Sequence, residues 1–122
     1  MTVRTLSAFL AELFQCREGD PEMAAILFAD HRSHIIDTRI IEGAPDMLIL
    51  PVRQILRDSL TMRARQIVMI HTHPSGDPRP SEHDVAATRL LCAHLRRQRQ
   101  RLIDHIILSR NLYFSFRANH ML

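Results

Sequence analysis

The sequence predicts an α/β (α+β) domain built on a mixed β-sheet that is flanked by helices. Two observations support this prediction. Short apolar runs typical of strands alternate with longer stretches of helical periodicity, and no linker or internal repeat divides the 122 residues. A chain of this length can bury about two-thirds of its unfolded surface, which is enough for a hydrophobic core. We therefore expect residues 1–122 to form a single domain.

The predicted elements follow the order αββαβαββ. They are a helix at residues 5–14, strands at 23–29 and 34–42, a helix at 51–60, a strand at 66–70, a helix at 82–98, and strands at 102–108 and 112–116. Residues 1–19 comprise the first helix and its connector. The side chains expected to reach the core from the second and third helices are Val52, Ile55, Leu56, Leu60, Val85, Ala86, Leu90 and Ala93.

The composition limits the compartment and the partners. The formal charge is +3 and all sixteen basic residues are arginine, a mild excess that permits contact with acidic partners without requiring it. Cys16 and Cys92 are too few and too far apart for a disulfide framework, which favours free thiols in a reducing compartment such as the bacterial cytoplasm. The sequence contains no apolar run approaching the ~20 residues of a membrane span.

The segment HTHPSGDPRPSEHD, at residues 71–84, has the pattern of a metal site. His71 and His73 follow a predicted strand and are two positions apart, so both imidazoles can point to the same side. Proline and glycine then interrupt regular structure, and Ser81 begins a helix with Asp84 in its first turn. Two imidazoles and a carboxylate with an open fourth position form the ligand set of a catalytic zinc. Ser81 and Asp84 also fit a capping box, which is compatible with that role.

This segment resembles the zinc motif of JAMM/MPN+ metallopeptidases, and its Pro-Ser-Gly-Asp-Pro form is closest to the RadC-like branch of that family. The run PEMAAILFAD at residues 21–30 resembles the first strand of that branch, with its glutamate at the start. Residues 102–108 and 113–116 resemble the closing strands. The resemblance covers roughly residues 20–117 and implies a JAMM/cytidine-deaminase-like fold, without the helix-hairpin-helix region of longer RadC proteins.

The resemblance implies a zinc-dependent metallohydrolase that cleaves a peptide or isopeptide bond by means of zinc-activated water. His71, His73 and Asp84 would bind Zn²⁺. Glu22 would act as the general base, and Ser81 would donate a hydrogen bond to the oxyanion. The substrate would be a protein or peptide whose identity the sequence does not give.

Several alternatives stay open. Glu22 fits a solvated strand residue equally well from the pattern alone, and Asp37 and Glu42 compete for the role of base. The arginine run at residues 96–101 permits a weak association with DNA, as in a DNA-repair-associated RadC-type accessory domain, although a solvated helix end is the simpler interpretation. A catalytically silent MPN interaction module is the third possibility. We expect His83 to lie on the surface, and His94 and His105 to make structural hydrogen bonds.

Overall fold

A computed structural model of the protein describes residues 16–122, so the helix predicted at residues 5–14 lies outside the described range. Within that range the chain forms strands β1 (Met23–Ala29), β2 (Ile35–Glu42), β3 (Gln66–Thr72), β4 (Arg101–Ser109) and β5 (Leu112–Ser115), and helices α1 (Val52–Thr61) and α2 (Glu82–Arg97). Neither of these helices is long and apolar enough to cross a membrane.

The strands form one mixed sheet in the order β2-β1-β3-β4-β5. β1 is antiparallel to both β2 and β3, and β5 is antiparallel to β4, so β1 with β2 and β4 with β5 form hairpins. β3 and β4 are parallel, and α2 supplies the crossover that such a pair requires. The predicted class, a mixed α+β domain, is confirmed.

The main hydrophobic core lies between the sheet and the two helices. Alternate residues of a strand face the same side, and Ile26, Phe28 and Met69 on β1 and β3 are fully buried in this way. They belong to the same cluster as Leu91 and Leu95 of α2. This packing holds the first turn of α2 against the sheet, close to the end of β3.

The predicted core face of α2 is wrong. Leu90 is 51% exposed, and Ala86 and Ala93 are also exposed. The side chains that are buried instead are Asp84, Ala87, Thr88, Leu91, Cys92 and Leu95. They share one helical face because they recur at intervals of three and four residues. In α1, Leu60 is likewise exposed and Ser59 is buried.

Gln100 is buried although it lies inside the arginine-rich run, and it closes a polar network. Its Nε2 donates to the carbonyl oxygens of Ser59, at 2.9 Å, and Ala64, at 2.8 Å. Its Oε1 accepts from Ser59 Oγ, at 2.8 Å, and from Gln98 Nε2, at 2.7 Å. The network fastens the last turn of α1, and Ala64 just after it, to the residue that precedes β4.

We expect Gln100→Leu to lower the free energy of unfolding by about 1–3 kcal/mol, because it removes the side-chain donor to the buried carbonyl oxygen of Ala64. The Ser59 carbonyl oxygen still accepts from the Ala64 amide. Urea denaturation followed by circular dichroism measures this change. Gln98→Leu is the matched control: Gln98 is half-buried, and we expect its replacement to cost about 1 kcal/mol or less. Equal losses of unfolding free energy in the two variants would show that Gln100 contributes no more to the network than Gln98.

Candidate metal centre

Five side chains singled out in the sequence meet where β1 begins and β3 ends. β1 runs antiparallel to β3 and pairs Ala24 with His71, so the residue just before β1 lies beside the residues just after β3. The first turn of α2 packs over the same place. The side chains brought together are those of Glu22, His71, His73, Ser81 and Asp84.

Glu22 is held through its backbone. Its amide donates to the carbonyl oxygen of Ala44 at 2.9 Å, and its own carbonyl oxygen accepts from the amide of Gly43 at 2.7 Å. Gly43 has no room for a side chain, since an added Cβ would lie 2.6 Å from the carbonyl oxygen of Met47. The Glu22 side chain is thereby turned inward, is buried, and brings Oε2 to 3.0 Å from His71 Nε2.

Asp84 is fixed by the capping box that the sequence predicts. Ser81 Oγ accepts a hydrogen bond from the Asp84 amide at 3.0 Å, and Asp84 Oδ2 accepts one from the Ser81 amide at 2.9 Å. The same Oδ2 lies 3.1 Å from His73 Nε2. The cap and the site are therefore a single structure, in which the helix start holds a buried carboxylate against an imidazole.

The tautomer of His73 follows from its contacts. Its Nδ1 lies 3.0 Å from the carbonyl oxygen of Asp77, and a carbonyl only accepts, so Nδ1 carries the hydrogen. In the neutral ring, Nε2 then points a lone pair at Asp84 Oδ2 and, at 4.0 Å, at Glu22 Oε1. Burial alone would lower the pKa of His73, but the hydrogen bonds to Asp84 and Asp77 and the charge of Glu22 raise it overall.

His71 is fully buried and meets His73 nearly at a right angle. The two ring centroids are 4.8 Å apart with an interplanar angle of 85°. His71 Nδ1 lies 3.9 Å from Asp84 Oδ1 and has no hydrogen-bond partner among the described residues. Both ring nitrogens of His71 therefore face carboxylates.

The charge balance of this group fits a bound cation. Burial alone would raise the pKa of Asp84, but hydrogen bonds with His73 and the Ser81 amide, together with the two imidazoles, hold it well below its usual range. Buried carboxylates that face imidazole lone pairs are costly unless a positive charge lies between them. Two imidazoles with carboxylate oxygens are a donor set that suits zinc.

Glu22, which is expected to act as the base, also forms a compact group with the two histidines. One ligand atom each from Glu22, His71 and His73 lie within 4.8 Å of one another, so these three buried residues could hold a metal ion. The sequence analysis expects Asp84 as the third ligand and Glu22 as the base. Both carboxylates contact the same imidazoles, and the two roles therefore need an experiment to assign them.

An open cleft of about 860 Å³ leads to this group. Its walls include Met47 and Leu48, which follow β2, and Arg79 and Pro80, which precede α2. His83 is exposed, as expected, but it also lines the cleft. A cleft of this size can admit an extended segment of a larger molecule.

His105 and Thr88 form a buried layer behind the histidines. The His105 ring stacks on His71, with centroids 5.7 Å apart, and on Phe116, at 4.6 Å. Thr88 Oγ1 donates to the carbonyl oxygen of Asp84 at 2.6 Å, so it accepts from His105 Nδ1 at 2.8 Å. Burial, with a smaller contribution from His71, lowers the pKa of His105 to about 3, and the ring is neutral near pH 7. The structural hydrogen bond predicted for His105 is confirmed, whereas its partner Thr88 was not predicted, although Thr88 lies one helical turn after Asp84.

The competing acids lie elsewhere. Asp37 pairs with Arg39 at 3.0 Å, and Glu42 is exposed at the end of β2. Neither Asp37 nor Glu42 is among the described residues that line the cleft.

The fold and the centre together define a mixed α+β domain with a buried Glu–His–His group that could hold a metal ion. The chain belongs to the RadC-like JAB domain family, whose sequence model matches residues 2–121.

Relatives with the name UPF0758 protein are identical to this chain at about a third of the aligned positions. The identity is 35% over 109 residues with a relative from Coxiella burnetii, which covers 88% of this chain and 49% of the relative. The identity is 33% over 109 residues with a relative from Pelobacter propionicus, an alignment that covers 88% of this chain and 46% of the relative. It is 31% over 103 residues with a relative from Vibrio cholerae, covering 82% of this chain and 65% of the relative. The chain thus spans about half the length of most of the curated relatives it matches.

Proposed function

We propose that this chain is a zinc-dependent metallohydrolase of JAMM type that cleaves a peptide or isopeptide bond. The observation that carries the proposal is the buried group of two imidazoles and two carboxylates at the base of an open cleft, a set of donor atoms that suits a divalent metal ion. Membership of the RadC-like JAB domain family supports the same class of site. In this proposal His71, His73 and Asp84 hold the ion.

Zn²⁺ bound there would supply a Lewis acid that activates water and polarises the carbonyl of the scissile bond. Glu22 would take a proton from the attacking water and later deliver it to the leaving amine. Two features support this role: its carboxylate faces both histidines, and its backbone is anchored on both sides by residues 43 and 44.

Ser81 would stabilise negative charge on the carbonyl oxygen. A hydroxyl group accepts and donates at the same time. Ser81 Oγ accepts from the Asp84 amide, and its O–H remains available to donate. The side chain is exposed and lines the cleft, so an oxyanion in the cleft is within its reach.

Metal analysis of the purified protein tests the proposal directly. We expect about one zinc per chain, because two imidazoles and a carboxylate form a complete protein ligand set for that ion. His73→Ala should release the metal, whereas His83→Ala, which alters an exposed histidine of the same cleft, should retain it. Less than one zinc per several chains, in protein that circular dichroism shows to be folded, would contradict the proposal.

A further inference from the structure

A second cavity, of about 440 Å³, lies at the other end of α2 from the candidate metal centre. Asp84 is in the first turn of α2 and Arg96 in the last, and a helix of 16 residues is about 24 Å long. The side chains that line this cavity are Cys92, Arg96, Arg101, Leu102, Arg117, His120 and Leu122. Three arginines and a histidine therefore surround a partly apolar floor.

The three arginines come from three different elements. Arg96 is in the last turn of α2, Arg101 is the first residue of β4, and Arg117 follows β5. The Arg101 amide donates to the carbonyl oxygen of Arg65 at 3.0 Å, and the Arg117 amide donates to Asp104 Oδ1 at 3.0 Å. The helix dipole favours an arginine at position 96 but explains neither of the other two. The tertiary fold therefore brings the three arginines together.

Within residues 16–122, these guanidinium groups have no acidic partner. Elsewhere Arg39, Arg79 and Arg110 each pair with a carboxylate. None of the three arginines of this cavity lies within 4.0 Å of a carboxylate oxygen in the described part of the chain. Asp104, the acid that holds the Arg117 backbone, also accepts from Ser115 Oγ at 2.6 Å and does not line the cavity.

We propose that this cavity binds the oligophosphate group of a small soluble molecule. Guanidinium groups match phosphate oxygens with paired, charge-assisted hydrogen bonds, and several unpaired cations suit a ligand that carries several negative charges. The cavity volume is in the range of small-molecule sites. The apolar floor formed by Leu102 and Cys92 gives room for a non-phosphate part of the ligand. The inference is independent of the proposed hydrolase function.

Titration calorimetry with inorganic tripolyphosphate, on the whole chain as purified, tests the proposal. We expect saturable binding that weakens as salt is raised. Arg101→Ala and Arg117→Ala should each weaken binding about tenfold or more, since each removes charge-assisted hydrogen bonds. Arg97→Ala is the matched control: Arg97 is exposed in the same helical turn as Arg96 but does not line the cavity, and its loss should change affinity less than about twofold.

Three outcomes would overturn the proposal. The first is no binding of tripolyphosphate at low salt. The second is an equal loss of affinity in Arg97→Ala and Arg101→Ala, which would indicate diffuse attraction to the basic surface. The third is binding of a short single-stranded oligonucleotide through the same arginines without binding of tripolyphosphate, which would assign the surface to nucleic acid.

Thiol labelling gives a second test that needs no variant. Cys92 is 8% exposed and lines the cavity, whereas Cys16 is half-buried and does not line it. Both thiols are free. We expect tripolyphosphate to slow the reaction of maleimide with Cys92 several-fold and to leave Cys16 unchanged. An unchanged rate at Cys92 under saturating tripolyphosphate would place any bound phosphate outside this cavity and contradict the proposal.

Discussion

Replacing Glu22 by glutamine is expected to lower amide hydrolysis by about 10²–10⁴-fold while leaving the zinc content nearly unchanged, because glutamine cannot accept the proton. Asp84→Asn is expected to lose both zinc and activity, because it removes the charge of the carboxylate that faces His73 at 3.1 Å. The measurements are zinc per chain and the rate of cleavage of a peptide or isopeptide substrate. The two variants form a matched pair, since each replaces one oxygen of a buried carboxylate with an amide nitrogen.

The opposite pattern would exchange the two roles. If Glu22→Gln releases zinc while Asp84→Asn retains it, Glu22 is the ligand, as its close grouping with the two histidines permits. Unchanged cleavage by Glu22→Gln would leave that residue without a catalytic role. Loss of zinc in both variants would indicate that both carboxylates bind the ion.

The second large effect is expected at Ser81. Ser81→Ala should lower the cleavage rate by about 10²–10³-fold, the usual cost of removing one oxyanion donor. It should also lower the free energy of unfolding by about 1 kcal/mol, because the Asp84 amide loses its cap. Cleavage kinetics and urea denaturation measure the two effects separately.

Ser81→Asp distinguishes the helix-capping role of Ser81 from its proposed role as a hydrogen-bond donor to the oxyanion. The carboxylate of this variant can cap the helix as the hydroxyl does, but it has no proton to donate near neutral pH. We therefore expect stability to recover and activity to stay low. Recovery of activity together with stability would show that the serine acts only through the position of α2.

The order of elements could be predicted because each leaves a local pattern. The strand predicted at residues 66–70 extends to Thr72 in the structure, and the strand predicted at 102–108 begins at Arg101. Turn residues and β-branched runs fix such boundaries to within a residue or two. The pairing of β1 with β3 leaves no local pattern, since it joins residues 37 to 47 positions apart.

The rotation of α2 could have been predicted and was not. The sequence analysis already placed Asp84 in the site, and residues three, four, seven and eleven positions later must share its face. Those residues are Ala87, Thr88, Leu91 and Leu95, which are buried. Ala86, Leu90 and Ala93, which were predicted as core, lie on the opposite face of the helix from Asp84 and are exposed.

Glu22 could be singled out only by resemblance, because a glutamate before a strand has no distinctive pattern of its own. What turns it inward is its pairing with residues 43 and 44 after β2, where the close approach of the chain at residue 47 excludes any side chain larger than that of Gly43. Contacts of this kind depend on the tertiary fold. The contact of Thr88 with His105 was missed for the same reason, although a structural hydrogen bond at His105 was predicted.

The centre draws its side chains from parts of the chain that only folding brings together, and Glu22 and His71 are 49 positions apart. An ion that binds the assembled arrangement and not the open chain shifts the folding equilibrium by mass action, by about 2.7 kcal/mol when its free concentration is a hundred times the dissociation constant. The availability of the metal in the cell would then set the lifetime of the polypeptide against proteases. When metal is scarce, the cellular amount of the protein would fall, even for a variant that cleaves no substrate.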